Sequence, residues 1–183
     1  MPNENIRNTR LPVRRLNRIL TMFFYEMKDL SDEGRDFPIR WHIMHMYSSS
    51  QLAKILAIHR GMEPELAGIA AALHDIGLVM TKRREGHDRV AKNYVYGFLE
   101  RYNRESGAEL PKITTEEMDE IVKAIVRHRE KKIYSDDPLV ELIKDVDSLD
   151  RYLHGVYTEG PHLERCNKVM KELRLNKNNV SNR

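Results

Sequence analysis

The apolar run Leu66-Ala67-Gly68-Ile69-Ala70-Ala71-Ala72-Leu73 closes on His74-Asp75, and no other stretch of the chain constrains the fold as strongly. A run with so few polar side chains reads as a buried helix, and it carries an imidazole and a carboxylate side by side into the interior. Two such groups are costly to desolvate unless something compensates them. A divalent metal compensates both at once. Further nitrogen and oxygen ligands stand at His45 upstream and at His87, His128 and Asp147 downstream. That ordered set points to a metalloenzyme.

The pattern around these residues is helical. Glycine (9) and proline (7) are sparse in 183 residues, and strand-like alternation is nearly absent. A first helix is predicted from Pro12 to Met27, with Leu16, Ile19, Leu20, Phe23 and Phe24 as its apolar stripe. The loop 32–36 separates it from a second helix, Ile39 to His59, with Gly61 as its C-cap. Pro64 suits the first turn of a third helix, which carries Leu66 through His74 and is ended near Ile76 by Gly77. The basic loop Lys82-Arg83-Arg84 follows, and a fourth helix starts near His87 and continues through Phe98. A fifth, opened by Thr114 or Thr115 ahead of Glu116-Glu117, reaches His128. A sixth spans Pro138 to Leu153 and the last Pro161 to Leu173.

This length suits one domain with a core of its own. The expectation is an all-α, single-domain helical bundle with its metal site in the core, as bundles build such sites from facing helices. Residues 1–37 would be an N-terminal helix packing on the core and 38–155 the metal-binding domain. Residues 156–175 would add a C-terminal helix of the same domain, and 176–183 a disordered tail.

Charge and cysteine content narrow the function classes. A net charge of +3 spread along the chain gives no nucleic-acid footprint. A single cysteine, Cys166, excludes a disulfide framework and a thiolate zinc cluster, and fits a reducing compartment. No apolar stretch approaches the roughly 20 residues that cross a bilayer. The start MPNENIRNTR lacks the apolar core of a secretion signal, so a cytoplasmic protein without a membrane partner is expected. Arg14, Arg15 and Arg18, opposite the first apolar stripe, read as a core-packing or dimerisation helix, with a homodimer as the assembly to test.

Ligands without thiolates favour a transition ion over calcium. His45 lies among Met44, Leu52 and Leu56, His128 follows Ile121, Ala124 and Ile125, and Asp147 interrupts Leu142, Ile143, Val146 and Leu149. Each is a polar ligand beside an apolar stripe. His42 shares the face of His45, one turn away, and is the alternative ligand there. His59 sits at a helix end, where it favours the dipole. His154 and His162 flank the loop 157–160 and read as exposed, while Asp145 and Asp150 read as capping or surface-pairing groups.

The stretches His45 to Ala57, Pro64-Glu65-Leu66-Ala67 into Ala72-Leu73-His74-Asp75-Ile76-Gly77, and Leu142 to Asp150 together resemble the HD-domain superfamily of metal-dependent phosphohydrolases. The resemblance covers roughly Arg40 to Tyr152. It implies that His45, His74, Asp75 and Asp147 hold a first metal. His87 and His128 are similar to the ligands of members with two ions, and Asp75 would then bridge. Leu78 stands where the cyclic-dinucleotide-cleaving branch often has lysine, and the Gly-Tyr-Pro signature of that branch is missing.

The implied activity is hydrolysis of a phosphate ester or anhydride in a small nucleotide-like metabolite, by water activated on one or two ions of manganese, iron, zinc, cobalt or nickel. Asp75 and His128 would act at the reaction centre, with Lys82 and Arg83 assisting it. Lys82, Arg83 and Arg129 would bind the phosphorylated substrate, with Arg84, Arg89, Lys131 and Lys132 as further cations near the ligands. Two other readings use nearly the same ligands: a di-iron oxygenase of this fold, and a non-catalytic module stabilised by its metal.

Overall fold

The structure, a computed structural model, describes residues 11–175; the expected tail at 176–183 lies outside the described residues. Among the described residues all regular structure is helical. The elements are α1 (Arg14–Met27), α2 (Ile39–His59), α3 (Pro64–Leu73), α4 (Ile76–Thr81), α5 (His87–Glu105), α6 (Thr115–Arg127), α7 (Pro138–Leu153) and α8 (Gly160–Glu172). Among the described residues no helix is long and apolar enough to cross a membrane.

Local chemistry explains where these helices begin. The Glu63 carboxylate accepts from the backbone N–H groups of Glu65 and Leu66, with Pro64 at the first helical position of α3. Asp137 does the same for Leu139 and Val140 ahead of α7, again followed by proline. Thr114 and Glu117 form a reciprocal capping box at the start of α6. Each device satisfies donors that a helix start otherwise leaves unbonded. Gly61, just past α2, takes φ +68, as its C-cap reading requires.

One helix more is present than the periodicity indicates. The apolar run does not continue to Gly77 but breaks at His74-Asp75, where Asp75 adopts φ −98 and ψ 12. The short helix α4 then runs to Lys82, a left-handed residue at φ 66. Gly77 is inside α4 and ends nothing. A Cβ added there would lie 2.2 Å from the His87 carbonyl oxygen, so glycine permits α4 to lie against the first turn of α5. The break turns His74 and Asp75 toward the centre of the bundle.

Helix α2 is the spine, packed along α3 and α7, while α1 covers α3 and α2 from outside. Helix α5 packs on α4 and α6, α6 closes against α3 and α7, and α8 lies on α7. Leu16, Ile19, Leu56, Ile69, Leu73, Leu99, Ile121 and Leu142 are fully or almost fully buried and form one continuous core.

Buried polar groups tie the outer helices down. Glu65 of α3 accepts from the backbone N–H of Arg15 (2.8 Å) and Leu16 (3.2 Å), which caps α1 from another helix. Its second oxygen bonds the Arg15 guanidinium at 2.7 Å, which also reaches Glu117. Glu65→Ala should therefore lower the stability by about 2–3 kcal/mol, since hydrogen bonds to charged groups contribute about 1.5–3 kcal/mol. Urea unfolding read by circular dichroism checks this, with Glu63→Ala expected to cost about 1 kcal/mol as an ordinary cap.

Asp145 is corrected by the structure: it is fully buried, not a surface group. It binds Arg60 at 2.7 Å, Arg165 at 2.8 Å and Lys168 at 3.0 Å, joining the end of α2 to α8. Arg165, also fully buried, donates to the Lys131 carbonyl at 2.8 Å and so fixes the segment just after α6.

Candidate metal centre

Four imidazoles converge where α2, the α3–α4 break, the start of α5 and the end of α6 meet. In each, Nδ1 has a partner that only accepts. His74 Nδ1 donates to the Ala71 carbonyl (2.7 Å), His87 Nδ1 to the Arg84 carbonyl (2.7 Å) and His128 Nδ1 to the Ile125 carbonyl (2.5 Å). His45 Nδ1 donates to the Asp150 carboxylate at 2.5 Å. In the neutral rings the proton is thereby held on Nδ1, and every Nε2 presents its lone pair to a metal ion or, in its place, a proton.

These lone pairs face one another. His45 Nε2 and His74 Nε2 are 3.0 Å apart, and His87 Nε2 and His128 Nε2 are 3.4 Å apart. Two acceptors at such separation repel unless a cation or a proton lies between them. The carboxylates surround the same points. Asp147 Oδ1 is 3.3 Å from His45 Nε2 and 3.7 Å from His74 Nε2. Asp75 is shared: Oδ2 lies 3.7–3.8 Å from the first imidazole pair, and Oδ1 lies 3.3 Å and 3.7 Å from His87 and His128. The donor set fits transition ions, with Asp75 placed to join two positions.

The electrostatics agree with a cation-binding role. Burial opposes the charge on Asp75, yet the surrounding histidines, His74 foremost, hold it well below the ordinary carboxylate range. Asp147 is likewise held low despite burial, chiefly by Lys131. Burial also opposes a cationic His45, but hydrogen bonds to Asp147 and Asp150 raise it to about 9. In His128 burial dominates, reinforced by His74 and Lys131, and pushes it down to about 3.

The surroundings orient these side chains. Asp150 accepts from His45 and from Ser48 (3.0 Å), and Ser48 also meets the His154 ring at 2.9 Å. Trp41 stacks on His45 with ring centres 5.4 Å apart. Asp150 is buried, where the sequence suggests a surface group. Such outer partners commonly tune metal affinity by about 10–100-fold. Asp150→Ala should weaken metal binding by roughly that factor with the helical content retained, as titration calorimetry with manganese would show.

Above the cluster opens a pocket of about 120 Å³, floored by Asp75, His87, His128 and Asp147. Its walls carry Arg84, Arg129, Lys131, Arg151 and His162, with Phe37 and Leu78 alongside. Lys131 Nζ is 2.6 Å from Asp147 Oδ2, and Arg129 is held by Asp88 at 3.0 Å. His162, expected exposed, is half-buried on this wall, and burial with Lys131 pushes it down to about 4. Ser148 donates to the Lys144 carbonyl, so its oxygen accepts from His162 Nδ1 at 3.1 Å and leaves Nε2 as an acceptor.

Two expected substrate cations are not brought to this pocket. Lys82 reaches back to the Glu33 carbonyl at 3.2 Å, and Arg83, two-thirds exposed, pairs with Asp36. The left-handed turn at Lys82 sends both outward. His42 is buried beside the cluster, with its ring edge against Phe37, but belongs to neither ligand group. A larger cleft of about 770 Å³, between α3, α6 and the start of α7, contains none of these residues.

The family model for the HD domain matches residues 43–152, more than half of the chain and the whole span from His45 to Asp150. The chain belongs to the HD-domain family. Searches of curated proteins and of solved structures returned no match. Within this HD domain, His45, His74 and Asp147 form one group of side chains able to hold an ion, and His74, Asp75 and His128 form another.

Proposed function

We propose that this HD-domain protein is a metal-dependent phosphohydrolase acting on a phosphate ester or anhydride of a small nucleotide-like metabolite. The observation that carries the reading is the facing of Nε2 lone pairs around Asp75 on the floor of a cation-walled pocket. His45, His74, Asp75 and Asp147 would hold one ion, and His87 and His128 a second shared through Asp75. When bound, such ions acidify water and neutralise phosphoryl oxygens.

The side chains supply the rest. Lys131 fixes Asp147 by its Oδ2, which leaves Oδ1 toward His45 and His74. Arg129 stands beside the His87 and His128 side of the floor, where in-line transfer requires positive charge on nonbridging oxygens. His162 Nε2 offers an acceptor to a substrate hydroxyl or to water. Phe37 and Leu78 add apolar surface to the pocket lining.

The test is a screen of phosphorylated metabolites with manganese, iron, zinc, cobalt and nickel, together with elemental analysis of untreated protein. Phosphate release that chelation abolishes and metal restores is expected. Product formation coupled to oxygen consumption by an iron pair would contradict the proposal in favour of oxidative cleavage, and a metal-stabilised protein without turnover would favour a binding module.

A further inference from the structure

The cations of the pocket are not all matched. Lys131 is paired with Asp147, and Arg129 with Asp88. Arg84 precedes α5 and Arg151 lies in the last turn of α7, so the fold brings two arginines 67 positions apart to the lining of one pocket. Among the described residues neither has a carboxylate within ion-pair distance; Arg151 instead faces the Phe37 ring at 5.8 Å. Both act on His162, whose cation they disfavour along with burial and Lys131. A lone phosphoryl group over the histidines is served by Arg129, Lys131 and the metal ligands. It does not need Arg84 and Arg151.

Resting on the phosphohydrolase reading, we infer that Arg84 and Arg151 form a second anion subsite, so that the preferred substrate is a small phosphate ester carrying another phosphate or carboxylate group. A guanidinium fork matches either group bidentately, and a cleft walled by one sign of charge concentrates ions of the other. The size of the pocket agrees. At about 120 Å³ it falls below the roughly 300–1,000 Å³ of pockets that engulf drug-sized ligands. It therefore seats compact charged groups, and any base or longer chain lies outside at the rim.

The experiment uses manganese-loaded protein and two matched pairs: fructose 6-phosphate with fructose 1,6-bisphosphate, and adenosine 5′-phosphate with adenosine 3′,5′-bisphosphate. The bis-anionic member of at least one pair should show a kcat/KM higher by about tenfold or more, equivalent to about 1.4 kcal/mol. The pair that shows it separates a sugar from a nucleoside source. Arg84→Gln/Arg151→Gln should collapse this preference through KM, while Arg14→Gln/Lys92→Gln, the same charge change at exposed sites on α1 and α5, should preserve it. A wild-type protein indifferent to the second anion, or a preference that survives the double substitution, would overturn the subsite.

Calorimetric binding of the same four compounds keeps the two readings apart. A bis-anion preference in binding, lost in Arg84→Gln/Arg151→Gln, upholds the subsite even if nothing is hydrolysed, in which case the phosphohydrolase reading fails by itself. Turnover without any preference leaves hydrolysis standing and removes the subsite.

Discussion

Asp75→Ala should eliminate metal retention and phosphate release together while leaving the bundle folded. Asp75 is the one carboxylate that both imidazole pairs share, Oδ2 toward His45 and His74 and Oδ1 toward His87 and His128. Its removal therefore disables both positions, whereas His87→Ala touches only one. Loss of kcat/KM by about a thousandfold or more is expected, the upper end of what deleting one electrostatic stabiliser costs. Stability separates this from unfolding. Manganese at a hundred times its wild-type Kd should stabilise the native state by about 2.7 kcal/mol. For a chain of this size that is a rise in Tm of about 5–10 °C. Asp75→Ala should keep the helical circular dichroism of the metal-free protein and show no such rise.

Gly77→Ala should have the largest effect of any single methyl group added to the core. The new Cβ would meet the His87 carbonyl oxygen at 2.2 Å, and that atom is backbone, so α4 and α5 must separate. Overpacking of this kind costs about 1–3 kcal/mol, and relief by separation shifts His87 away from Asp75. Gly68→Ala is the control: its Cβ would approach Leu16 Cδ2 at 2.7 Å, the far end of a side chain that can rotate. Urea unfolding should show a clear loss for Gly77→Ala and a small change of either sign for Gly68→Ala. Manganese affinity should fall in the first only.

The candidate ligands are legible in the sequence because polar groups of these types interrupt largely apolar helices. His128 and Asp147 stand at helical spacing among buried residues and His74-Asp75 ends an almost wholly apolar helix, whereas of the neighbours that marked His45 only Leu56 is fully buried and Met44 is exposed. Asp150 carries a signal of the same kind. It lies one turn from Asp147, as Ser48 does from His45, and i, i+3 spacing places such pairs on one face. Reading it as a surface group overlooked that geometry.

Other features leave no local trace. Helix α4 is six residues, too short for periodicity to separate from the apolar run before it. Burial of Asp145 depends on Arg60 and Arg165, partners 85 and 20 positions away. The basic loop shows the limit of proximity along the chain: Lys82 and Arg83 are turned outward by a left-handed residue, and Arg84, the next in line, reaches the pocket wall. Charge composition locates such a cluster without indicating which member points inward.

Anomalous diffraction from manganese-loaded crystals, collected at the manganese edge, tests the central claim most directly. A peak within about 2.0–2.4 Å of the Nε2 atoms of His45 and His74 and of Asp147 Oδ1 is expected, these being ordinary bond lengths for such donors. A second peak, if present, should lie between His87 and His128 with Asp75 joining the two. Metal-saturated crystals with no peak at bonding distance from any of these side chains would contradict the account.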